Sequence, residues 1–64
     1  MNGEYEVLIF IENLAAQINA DLQLGLSVPV MRRIALRVFE AEPDGAEALH
    51  DSLGQLLIRE RTLH

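Results

Sequence analysis

The chain has 64 residues and a formal net charge of -5, and half of its side chains are hydrophobic, with no Trp, one Tyr and two Phe. That length makes one small domain, near the lower limit at which a single chain buries enough apolar surface to fold unaided. The absence of Cys excludes a disulfide framework or a thiolate metal site, and ten acids against five Arg weigh against generic affinity for nucleic acid or anionic membrane.

The first segment reads as a helix over about residues 3–23. Val7, Ile11, Leu14, Ala15, Ile18 and Leu22 share one face at helical spacing, and Asn13, Gln17 and Asp21 share another. The stretch "EYEVLIFI" also reads as a strand by its β-branched and aromatic content, with a helix beginning only at Asn13. A lone strand needs a partner, and the chain offers no second one, so it would have to pair across a dimer. In either form Val7, Leu8, Ile9, Phe10 and Ile11 are apolar all round and need cover on more than one side. They are therefore the candidate interface of a homodimer. The apolar run stops at Glu12 and has no basic leader, which is too short and wrongly flanked for a signal peptide or a membrane span. The expected location is cytoplasmic, with no membrane partner.

A second helix is predicted from about residue 28 to 42. Ser27 is placed to cap it, and Pro29 is tolerated because first-turn amides lack intrahelical partners. Met31, Ile34, Ala35, Val38 and Phe39 form its apolar stripe, with Arg33, Arg37 and Glu40 opposite. The third helix, about residues 45–61, follows Pro43, which disfavours a helical residue before it. Asp44 and Glu47 form a capping-box-like pair, and Ala46, Leu49, Leu53, Leu56 and Leu57 form the buried face. Arg59 and Arg61 suit the negative end of the helix dipole. Leu36 and Ile58 lie off the main stripes and are possible second contacts in an oligomer.

Around the first turn, Leu24, Gly25, Leu26, Ser27, Met31 and Ile34 resemble the turn and second helix of a helix-turn-helix, over residues 17–36. The resemblance implies that Gly25 turns the chain at positive φ, that Met31 and Ile34 anchor inward, and that Arg32 and Arg33 face DNA. Asp21 stands where the first helix of such a unit has a small residue, and Val28, Pro29 and Val30 replace its polar contacts. A helix-turn-helix-like DNA-binding regulator using Arg32 and Arg33 is accordingly the alternative reading, and a plain αα turn the simpler one.

Glu47 and His50 make one E-x-x-H step, half of a di-metal bundle pattern, but no second copy exists in the chain and a solvated pair is the simpler reading. Neither Ser27 nor Ser52 has an adjacent base, and there is no glycine-rich phosphate loop. No catalytic, metal or cofactor site is expected, and the protein is not expected to be an enzyme.

The expectation is thus an all-α domain, a helical hairpin or three-helix unit assembled as a homodimer. Its function class is a small acidic protein-interaction module, an adaptor or inhibitor such as a phage anti-defence protein of the anti-CRISPR kind, a prior drawn from size and charge. The candidate partner-binding residues are Arg32, Arg33 and Arg37 together with the acidic run Glu40, Glu42, Asp44, Glu47 and Asp51.

Overall fold

The computed structural model describes residues 3–63 and contains three helices: α1 (Gly3–Asp21), α2 (Val28–Ala41) and α3 (Ala46–Leu63). The expected all-α class is what forms. Residues 4–11 are helical, so the strand-then-helix alternative is corrected: a helix satisfies its backbone groups internally, whereas a single strand would leave them unpaired. No strand occurs among the described residues.

The helices meet in one cluster of Ile11, Ala15 and Ile18 from α1, Ile34, Ala35 and Val38 from α2, and Leu53 and Leu57 from α3. Leu14, Leu24, Leu26, Met31, Phe39, Leu49 and Leu56 pack against it while half-buried. Three positions assigned to the apolar stripes lie outside it. Val7, Leu22 and Ala46 are exposed: each lies near or just beyond a helix end, outside the buried middle of its stripe. The core is thin for its length. The chain exposes 4667 Å2, against about 4,100 Å2 for a typical folded monomer of its mass.

The connection between α1 and α2 is built by backbone geometry that composition does not announce. Gln23, at φ 54°, closes α1: its amide donates to the Ala20 carbonyl at 3.2 Å, and the Leu24 amide donates to the Asn19 carbonyl at 3.0 Å. This is the Schellman arrangement, in which the left-handed residue is usually glycine. Gly25 follows with φ 71°, as its place in the turn predicts. Ser27 does occupy the N-cap of α2, and its carbonyl accepts from the Met31 amide, but its hydroxyl makes no capping bond. The side chain that secures this loop is Asn19. Its Oδ1 accepts from the Leu26 amide at 3.0 Å, and its Nδ2 donates to the Leu26 carbonyl at 3.3 Å.

At the second connection, Glu42 adopts φ 50° at the C-cap of α2 and its amide donates to the Phe39 carbonyl. Pro43 then stops the helix as expected. The expected cap of α3 shifts by one residue: the Leu49 amide bonds to the Gly45 carbonyl, so Gly45, at φ 101°, holds the N-cap position and Asp44 stands before it.

A left-handed Gln carries a steric cost that glycine lacks, so Gln23→Gly is expected to stabilise the fold by about 0.5–1 kcal/mol, net of the unfolded-state entropy of glycine. Urea denaturation followed by circular dichroism measures it, and a loss of stability would contradict the assigned turn.

Candidate partner-binding surface

Two clefts flank α2, and they differ in charge. One lies between α2 and α3 and is lined by Arg33, Leu36, Arg37, Glu40, Leu56 and Arg59, among others. Here Arg33 Nη2 donates to Glu60 Oε2 at 3.0 Å, tying α2 to the last turns of α3. The Arg33 side chain is 65% exposed, so solvent screens the pair and its contribution is about 0–1 kcal/mol at most. Arg32 is exposed on the neighbouring face of α2.

The second cleft lies where the N-terminal half of α1 meets the α2–α3 connection. It has a volume of about 330 Å3 and is lined chiefly by Val7, Phe10, Phe39, Glu42, Pro43 and Leu49. It adjoins a shallower depression that shares Val7, Phe39 and Glu42 and adds Gly3 and Glu4. No Lys or Arg lines either part. Val7 and Phe10 are 49% and 58% exposed, so their apolar surface is open to solvent.

The predicted interaction residues therefore divide. Arg33, Arg37 and Glu40 come together in the α2–α3 cleft. Glu42 belongs to the other cleft, while Asp44, Glu47 and Asp51 stand exposed on the connection and on the early turns of α3. The proposed dimer residues divide as well. Ile11 is buried in the core of its own chain and offers only the small part of its surface that lines the cleft, and Leu8 is half-buried. Val7 and Phe10 line the cleft, whereas Ile9, four residues on from Tyr5, shares with it another exposed flank of α1.

Glu47 and His50 are both exposed on α3, and no group of three or more His, Asp or Glu among the described residues is placed to hold a metal ion. No described helix is long and apolar enough to cross a membrane. Sequence reading missed Phe39, Pro43 and Leu49 as surface-forming residues, since each carries a core or turn signature and becomes a cleft wall only when three helix ends converge.

Fold and surface together define a small three-helix protein with an apolar cleft rimmed by carboxylates. Searches of family models, curated proteins and solved structures find no match to this chain.

Proposed function

We propose that the protein is a small non-enzymatic interaction module that binds and modulates a partner protein, as an adaptor or inhibitor; the anti-defence proteins of phages are examples of the class. The observation that supports this reading is the exposure of Tyr5, Val7, Ile9 and Phe10 in a single stretch of α1. A monomer with so thin a core gains by turning these side chains inward, and their outward placement at one end fits a surface made to be covered. Self-association belongs to the same reading, and the Tyr5–Ile9 flank is where a second copy would be accommodated without blocking the cleft.

The duplex-binding alternative draws less support. It would rest on Arg32 and Arg33, yet Arg33 is engaged with Glu60, and Glu40 shares the α2–α3 cleft with the remaining arginines. A net charge of -5 further opposes phosphate contact.

Affinity capture from the native host tests the primary reading, using the wild type beside a variant with Asp44→Lys, Glu47→Lys and Asp51→Lys. All three positions are exposed, so the fold is expected to survive. The expected result is a protein partner retained by the wild type and reduced at least about tenfold by the charge reversal. Duplex binding at low salt that Arg32→Ala abolishes, with no protein partner recovered, would establish the DNA-binding reading instead.

A further inference from the structure

The residue that stands out in the apolar cleft is Glu42. Its backbone lies in the left-handed region at φ 50°, where a residue with a β-carbon is sterically disfavoured. It also places a carboxylate at the C-terminal end of α2, where the helix dipole is already negative. Three of the other acids nearby have a local explanation: Glu4 and Glu6 lie in the first turn of α1 and Glu47 in the first turn of α3, each offsetting the positive end of its helix. Glu42 has none. Among the described residues it has no ion-pair partner, and it lines both parts of the cleft beside Val7 and Phe39. A residue held against two local preferences at the edge of an apolar surface is one whose benefit comes from outside the chain.

We infer that the cleft formed by Val7, Phe10, Phe39, Pro43 and Leu49 receives a basic segment of a partner protein, with apolar side chains seated against Phe10 and Phe39 and a Lys or Arg paired to Glu42. This rests on the interaction-module reading and names the chemistry of its partner. The occupant is basic because Glu4 and Glu42 line the surface, Asp44 lies next to it in the connection, and no Lys or Arg lines it. For the same reason it is not a second copy docked by a twofold axis through the cleft, which would set these carboxylates against their own mates. The chain presents helices and no sheet edge to extend, so the fitting mode is an amphipathic helix whose anchors enter a groove. A volume of about 330 Å3 lies at the lower end of the range for binding clefts and suits one or two anchoring side chains.

The test uses two fluorescein-labelled helical peptides of about 18 residues, five turns long, each with Leu at i, i+3, i+4 and i+7. One carries Lys on its remaining face and the other Glu. By fluorescence anisotropy, the Lys peptide is expected to bind in the micromolar range and the Glu peptide at least about tenfold more weakly, with the difference shrinking at high salt. Phe10→Ala, at an exposed position, should weaken the Lys peptide about tenfold or more, as loss of an aromatic anchor does. Glu42→Gly should weaken it about threefold to tenfold while raising the melting temperature by roughly 4–8 °C, because it relieves both the left-handed strain and the dipole clash. Gln23→Gly, the other left-handed residue, should raise the melting temperature and leave peptide binding unchanged.

Binding that ignores Glu42→Gly and Phe10→Ala, equal binding of both peptides, or no binding of either would overturn the inference. So would sedimentation showing a wild-type dimer that Phe10→Ala dissociates, since a second copy would then fill the cleft. Host capture separates this from failure of the broader reading: a partner still lost on charge reversal leaves the interaction module standing with a different docking chemistry.

Discussion

Leu53→Ala is expected to leave the chain largely unfolded at 25 °C. Leu53 and Leu57 are the two largest side chains with no exposed surface, and both project from α3 into the cluster made by α1 and α2. Truncating a fully buried leucine costs about 3–5 kcal/mol, from lost transfer energy and from the cavity left behind. A domain of this length, without disulfide or metal, has a total stability of roughly 3–6 kcal/mol. The loss therefore matches most of what holds the fold. Leu36→Ala, at a 44% exposed position, is the control and should change stability by less than about 0.5 kcal/mol. Thermal melts and urea titrations of both variants by circular dichroism at 222 nm decide the matter. A cooperative transition for Leu53→Ala at the wild-type midpoint would mean that α3 is not the lid of this core.

The three helices were legible because their apolar residues recur at three and four positions, because Gly25 and Pro43 punctuate the intervals between them, and because Pro29 suits the first turn of α2. The inward positions at the middle of each helix, such as Ile18, Ile34 and Leu53, follow from that periodicity alone. The ends were less legible. Val7 and Leu22 continue the stripe of α1 as faithfully as Ile11 does, and only the packing of the three helices decides that they stay exposed. The caps mislead for a related reason: Ser27 and Asp44 have the chemistry of a cap, but the hydroxyl of Ser27 finds no amide and Gly45 displaces Asp44. The surface was legible in part. Its charge was plain from the run Glu40 to Asp51, yet what separates Glu42 from the other acids is a backbone angle, which no composition or spacing expresses.

The two left-handed residues also link fold to function. Gln23 and Glu42 end α1 and α2 in the same conformation, and glycine would serve both turns better. Gln23 lies outside the cleft and is a tolerated imperfection with no structural reason for its identity. Glu42 lies inside it. The same strain thus has different meanings at the two sites, and paired glycine substitutions separate stability from binding in a way that neither substitution does alone.

Asn19→Ala is expected to cost about 1–3 kcal/mol, more than any surface substitution in the chain, because one side chain satisfies both backbone groups of Leu26. Asn19 is half-buried on the last turns of α1, and Leu26 lies just before α2, so the two bonds fasten the exit of one helix to the entry of the next. Alanine removes both bonds and leaves the Leu26 amide and carbonyl facing a partly closed space. Asn19→Asp retains an acceptor for the amide but sets a carboxylate oxygen against the carbonyl, so its stability should fall between those of the wild type and Asn19→Ala. Asn19→Gln keeps both functions on a longer arm and cannot reach the same atoms without displacing the loop. Urea titration ranks the variants, and amide hydrogen exchange locates the effect. Leu26 should lose protection by about tenfold to a hundredfold in Asn19→Ala, in line with the loss of a bond that opens with the loop. If the Leu26 amide exchanged at the wild-type rate and stability were unchanged, the connection would be held by Gly25 and the Schellman turn alone, and the role assigned to Asn19 would be wrong.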